Sequence, residues 1–182
     1  ISHFVEEIDP PAEASIVFAS PALSQQALNP TAGLVAVEKI VNTGEKIWNI
    51  IEKNRASTEA TVTFANAIPK GIGEGSEMEG FSELQQRSYR AYGKNLYGVT
   101  VYDVEYTLVH RHGRTHGGAG RYLAHVAVVP SNITALWGYT VDVSVAASAP
   151  TNLGTKSNPV AAMVVQVKLA VSTVLKSAQS TR

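Results

Sequence analysis

From residue 57 onward, the chain is dominated by runs in which apolar residues recur at every second position. A period of two is the spacing of side chains that share one face of a β-strand. The strand candidates are the runs 58–68, 97–112, 121–129, 135–147 and 159–175. Because Gly, Pro, Asn and Ser turns separate these runs and no helical run lies between them, the sequence predicts a mainly β protein. The expected architecture is an antiparallel β-sandwich or an open barrel.

The alternation also predicts which side chains face the core. In the run 135–147 the odd positions, from Trp137 to Val145, are expected to point inward. In the run 159–175 the odd positions are expected to do the same. Polar residues at the even positions of both runs are expected to face solvent.

The N-terminal segment has a different composition. Residues 1–32 hold half of the eight prolines of the chain, and prolines at this density disfavour both helices and central strands. We therefore expect residues 1–32 to form an extended arm, with a short edge strand at 14–20. The remaining residues, 33–182, are expected to form a single domain of one helix followed by the β-structure of 57–182.

The predicted helix covers residues 33–55. Apolar residues in this segment recur at helical spacing, and Trp48 and Ile51 lie on the apolar stripe. Gly44 lies on the same stripe, where it would permit close approach to a sheet. The segment is interpreted as an amphipathic helix packed on the sheet. The alternative is a helix that detaches and binds a membrane surface.

Composition limits the classes of function. Charged residues make up 16% of the chain, below the usual share of about 25%, and the formal net charge is zero. The neutral charge gives no general attraction to nucleic acid. The chain has no cysteine, so disulfides and thiolate sites are excluded. It begins at Ile1 and has no apolar run of about 18 residues, so we expect a secreted or periplasmic protein with its signal peptide removed and no transmembrane segment.

Histidines are concentrated near one predicted hairpin. His110 and His112 follow the apolar face of the run 97–112, and a hairpin symmetric about residues 116 and 117 would place His125 on the same face. These three imidazoles are candidate ligands for zinc or copper. Neighbouring arginines weigh against a metal, since cations repel a divalent ion. The main expectation is therefore no cofactor, with zinc or copper as the alternative.

A second group of candidates combines cations with aromatic rings, which can stack on sugars or bases or lie at a membrane interface. These binding candidates are Arg87, Tyr89, Arg90, Tyr92 and Lys94, together with Arg111 and Arg114 of the hairpin tip. The sequence has no G-x-S-x-G, Walker A or H-E-x-x-H pattern. It therefore favours a binding protein over an enzyme.

Three functions remain open. The first is a non-enzymatic secreted or periplasmic protein that binds an unknown protein or glycan, or assembles with itself. Self-assembly into a homo-oligomer is suggested by the acidic residues 1–32 and the basic residues from Val143 onward. The second is a histidine-based metal-binding protein or metalloenzyme. The third is a membrane-active protein with a detachable helix at 33–55.

Overall fold

A computed structural model describes residues 1–9, 40–57, 63–72 and 78–173. These residues form β-strands, turns and loops, and no helix occurs among them. The strands are β1 (Ser2–Ile8), β2 (Ile40–Val41), β3 (Ile47–Glu52), β4 (Arg55–Ala56), β5 (Ala65–Pro69), β6 (Gln85–Lys94), β7 (Thr100–His116), β8 (Ala119–Ala135), β9 (Tyr139–Ala147), β10 (Thr151–Asn152), β11 (Ala161–Ala162) and β12 (Val165–Thr173). The prediction of a mainly β protein is confirmed.

The strands form two main sheets and one small one. A six-stranded sheet has the order β1-β6-β7-β8-β5-β2, and a four-stranded sheet has the order β12-β9-β3-β4. Strands β10 and β11 form a separate pair. Every pairing between these strands is antiparallel, as predicted, and the described strands do not close into a barrel.

The main hydrophobic core contains residues from both large sheets. Val104 and Tyr106 of β7 belong to the same buried cluster as Val141, Val143 and Val145 of β9. Odd positions of β12 pack against this cluster and alternate with exposed even positions. The inward faces predicted for 141–145 and for β12 are therefore found, because strand alternation determines which side chains can reach the opposite sheet.

The predicted helix at 33–55 is wrong wherever the structure describes the segment. Residues 47–52 form β3, in which Trp48 and Ile50 are buried while Ile47 and Asn49 are exposed. β3 pairs with β9, where Trp48 lies opposite Val145. The apolar residues of this short segment fit a period of two as well as a period of 3.6, and pairing with β9 selects the strand. Residues 33–39 lie outside the described part.

Two breaks delimit β3 and exclude a continuous helix. Before it, the Asn42 side-chain oxygen accepts hydrogen bonds from the backbone N–H groups of Gly44 and Asn66. A methyl group at Gly44 would overlap the Phe64 carbonyl, so this loop requires glycine against β5. After β3, Lys53 and Asn54 both have positive φ, the conformation of a tight hairpin turn.

The predicted arm lies largely outside the described residues, including its proposed edge strand at 14–20. The described part of the arm, Ser2–Ile8, is strand β1 and pairs antiparallel with β6 at the edge of the six-stranded sheet. Its side chains are exposed except for the half-buried Ile8.

The two tryptophans of the chain allow a direct test of the core. Trp48 is 8% exposed within the main core, whereas Trp137 is 96% exposed. We expect Trp48→Ala to lower the free energy of unfolding by about 3–5 kcal/mol, because it removes a large buried ring. The matched variant Trp137→Ala should change stability by less than about 0.5 kcal/mol.

Denaturant unfolding of both variants measures this difference. Equal stability of the two variants would show that β3 is not part of the core.

Candidate functional site

Strand alternation divides the predicted cation–aromatic group on β6. Arg90, Tyr92 and Lys94 lie on one face of the strand, because the cationic groups of Arg90 and Lys94 lie 4.9 and 5.7 Å from the centre of the Tyr92 ring. Tyr89 lies on the other face, where its ring stacks on Tyr106 at 5.7 Å. Arg87, two residues before Tyr89, shares that face. The five residues therefore do not form one surface.

Arg90 is held by carboxylates of the protein itself. Its guanidinium donates to both oxygens of Asp103, at 2.6–3.2 Å, and to Glu6 at 3.3 Å. The hydrogen bonds that Arg90 donates to Asp103, followed by the charge of Asp103, raise the pKa of Arg90. Because two carboxylates already neutralise this cation, Arg90 ties β1, β6 and β7 together and is not an open binding group.

Tyr92 is similarly engaged. Phe4 of β1 stacks on its ring with a centroid distance of 5.0 Å, and the cations of Arg90 and Lys94 lie over the ring. A sugar that needs an open aromatic face would have to displace one of these groups. The predicted glycan platform is therefore occupied by contacts within the chain.

The two arginines of the hairpin tip are at the far end of the same sheet. Arg111 and Arg114 pair with Ala124 and Tyr122 near the β7–β8 turn, whereas Lys94 pairs with Thr100 at the start of β7. Arg111 lies eleven positions after Thr100 along an extended strand, at a distance of about 35 Å. The structure does not bring the two halves of the predicted binding set together.

The predicted metal site is not formed by the described residues. Among them, no group of three or more His, Cys, Asp or Glu side chains has the arrangement needed to hold a metal ion. The rings of His110 and His112 are neighbours, with centroids 5.8 Å apart. His125 instead packs on Phe64 at 5.3 Å, beside Val109 and Ala127. The structure therefore brings His110 and His112 together but does not group His125 with them as a site for zinc or copper.

The register of the β7–β8 hairpin explains this result. Leu108 lies opposite Val128, not opposite His125, because the turn is at residues 117–118 and the ladder contains bulges. One bulge lies between the pairs Val109–Ala127 and Arg111–Ala124, and His125 within it has a positive φ of 53°. A bulge turns the following side chains to the other face, which the sequence pattern alone does not predict.

The exposed apolar residues at the opposite end of the sheet form a different candidate site. The turn between β6 and β7 carries Leu96, which is 97% exposed, and Tyr97, which is 91% exposed. The side-chain oxygen of Asn95 accepts hydrogen bonds from the backbone N–H groups of Tyr97 and Val99, and this turn is thereby fixed.

The turn between β8 and β9 has a related structure. Leu136 and Trp137 are exposed, and Tyr139 donates its backbone N–H to the Leu136 carbonyl across a four-residue turn with Gly138 at positive φ. The prediction that Trp137 faces the core is wrong. Trp137 precedes β9 in this turn, so the alternation that holds within the strand does not extend to it.

The two turns are adjacent and share a pattern. Each contains leucine, an aromatic residue and a glycine at positive φ, in the segments 96–98 and 136–138. The backbone N–H of Leu136 donates to the carbonyl of Val101, which joins the base of one turn to the base of the other. We call residues 95–99 and 136–138 the aromatic end. An aromatic residue beside a turn glycine is the sequence signal that would have identified it.

The chemistry of the aromatic end is apolar. Its eight residues, 95–99 and 136–138, include no Asp, Glu, Lys, Arg or His. A shallow cavity of about 400 Å³ behind it is lined by residues 100–103 and 134–136. The carboxylate in this lining belongs to Asp103, which is bound to Arg90. The arrangement suits contact with an apolar surface, not acid–base chemistry.

The half-buried His110 predicts a pH effect on stability. Burial, then His112 and Arg87, lower its pKa below the ordinary value of about 6.5. A folded state that disfavours protonation loses stability as pH falls, so this contribution is complete above about pH 6.5 and is lost through the folded pKa. We expect His110→Gln to show a smaller decrease in melting temperature than the wild type between about pH 8 and about pH 5. An equal decrease in melting temperature for the wild type and His110→Gln would contradict this effect of His110.

Comparison with known protein families, curated proteins and solved structures finds no match for this chain. Within the described residues, no helix is both long and apolar enough to cross a membrane.

Proposed function

We propose that this chain is a non-enzymatic binding protein that attaches to a lipid–water interface through its aromatic end. The observation that carries this proposal is the exposure of Leu96, Tyr97 and Trp137 on two adjacent turns. Large apolar side chains in water are unfavourable, and a contiguous group of them is typical of an interaction surface.

Residue type and shape favour a lipid surface as the partner. Tryptophan and tyrosine concentrate at the boundary between lipid headgroups and acyl chains, where an amphipathic ring contacts both environments. Leu96 and Leu136 would extend into the apolar region beside them. The two turns lie at the end of the sheet and carry no charge that would have to be desolvated.

The position of the aromatic end, at the end of the sheet, supports attachment to a lipid surface without crossing the membrane. The strands behind it form a two-layer β-sandwich in this proposal, and the sandwich stays in water while the turns enter the interface. This arrangement replaces the detachable helix expected at 33–55, because the described part of that segment is strand. A secreted or periplasmic location is part of the proposal, since it gives the turns access to an outer membrane surface.

The distribution of charged side chains supports a binding role. Arg90, Asp103 and Glu6 satisfy one another between strands, and Arg87 lies 4.0 Å from Glu7. Such pairs determine register and rigidity, while an active site needs ionisable groups that face a substrate. The proposal therefore uses the apolar turns and not the cations of β6.

Vesicle sedimentation tests the proposal directly. Wild-type protein should sediment with phosphatidylcholine vesicles, with or without phosphatidylglycerol, because the contact is mainly apolar and depends little on salt. Trp137→Ala should weaken partitioning about thirty-fold, since it removes roughly 2 kcal/mol of apolar burial. Leu96→Asp should weaken it by at least about ten-fold.

Leu153→Asp is the matched control. Leu153 is 74% exposed and lies in the loop that hydrogen-bonds to the start of β8, at the other end of the sheet. This control should bind vesicles as the wild type does. Wild-type protein that remains in the supernatant at millimolar lipid would overturn the proposal, as would equal losses from Leu96→Asp and Leu153→Asp.

A further inference from the structure

Strand β1 adds no side chain to the hydrophobic clusters of the described residues. Six of its seven side chains are exposed, and none of its residues belongs to the hydrophobic clusters of the described chain. Its seven backbone pairs are all with β6. The strand is therefore held by its ladder and by side-chain contacts, and it adds no side chain of its own to the core of the two sheets.

The edge of β6 is nevertheless closely fitted to this one strand. Gly93 has no side chain, so His3, which lies opposite it, reaches across β6 and its ring nitrogen lies 2.7 Å from the Tyr102 hydroxyl. A methyl group at Gly93 would overlap the Tyr102 ring. The next position of β1, Phe4, stacks on Tyr92.

Charge continues the match along the strand. Glu6 pairs with Arg90 at 3.3 Å, and Glu7 lies 4.0 Å from Arg87. Four positions of β1 thus meet matched positions of β6 and β7, which specifies both the partner strand and its register. The acidic β1 and the basic edge of β6 are complementary surfaces.

The length of chain between β1 and β2 permits β1 to reach the same edge in a second copy. Thirty-one residues, 9–39, separate β1 from β2 along the sequence. Fully extended, such a connection spans about 100 Å, which is enough to reach a neighbouring molecule.

We propose that β1 is an exchangeable strand that inserts into the β6 edge of a second copy of this chain and so links copies into oligomers. The same hydrogen bonds and side-chain contacts form within or between molecules, so exchange costs only the entropy of association. The inference rests on β1 and β6 and does not depend on the proposed membrane contact. It gives the homo-oligomer expected from the uneven charge distribution a specific interface.

Engineered cysteines test the exchange in lipid-free solution, because the natural chain has none. Val5 and Ala91 lie directly opposite each other in the β1–β6 ladder, at a separation suited to a disulfide. A Val5→Cys chain is mixed with a differently tagged Ala91→Cys chain and oxidised. We expect a mixed disulfide dimer whose yield rises with protein concentration. In the control, the second chain carries Gln166→Cys, on exposed β12, instead of Ala91→Cys.

The yield should exceed that of the Gln166→Cys control by at least about ten-fold. Equal yields would overturn the proposal. The double variant Val5→Cys with Ala91→Cys, oxidised at low protein concentration, should close within one chain and then elute as a monomer in size-exclusion chromatography when it is concentrated. Oligomers that persist in this locked chain would place the contact elsewhere, and failure of the lock to form would show that the β6 edge is not the acceptor.

Charge reversal tests the specificity of the acceptor edge. Adding Glu6→Arg to the Val5→Cys chain should lower the mixed-dimer yield several-fold, because it replaces the partner of Arg90 with a like charge. The matched control Glu52→Arg reverses an exposed carboxylate on β3 and should leave the yield unchanged. Equal yields from the two variants would overturn the role of the charge match.

Discussion

The pairing of β7 with β8 is the constraint on which the rest of the structure depends. Each strand has 17 residues, so the hairpin extends about 50 Å from the Thr100–Ala135 end to the turn at residues 117–118. Strands β6 and β5 pair with its two outer edges, and residues of both faces are buried. Because this ladder positions the segments attached to it, His110 and His112 lie towards the β7–β8 turn and the aromatic turns lie at the opposite end of the sheet.

Bulges in this hairpin explain why some residues of β7 and β8 occupy a different face of the sheet from the one that the sequence predicts. Alternation within a strand correctly predicts that Val141, Val143 and Val145 are buried together, since β9 pairs with β12 without a register shift. The β7–β8 ladder shifts register several times, and each shift changes which face the next residues occupy. His125 therefore packs on Phe64, away from His110. The sequence pattern predicts the strands, while the bulges depend on contacts distant in sequence.

The segment around Trp48 shows a second limit of pattern analysis. Trp48 and Ile51 are buried, as the sequence predicts, but in a strand instead of a helix. A run of six residues has too few apolar positions to distinguish the two periods, so tertiary pairing with β9 decides. Trp137 shows the converse error: the period of β9 does not extend into the turn before it, where Trp137 is exposed.

Exposure of the aromatic end to water is unfavourable in free energy, and the turns that carry it have a fixed backbone. Leaving a side chain such as Trp137 in water forgoes roughly 2 kcal/mol of burial. A chain that gained nothing from this exposure would be expected to carry polar residues in its turns. Asn95 instead fixes one turn by two hydrogen bonds, and Gly138 permits the tight geometry of the other. Because the backbone of these turns is fixed before any contact, the proposed binding would cost less backbone entropy than binding through an unordered loop.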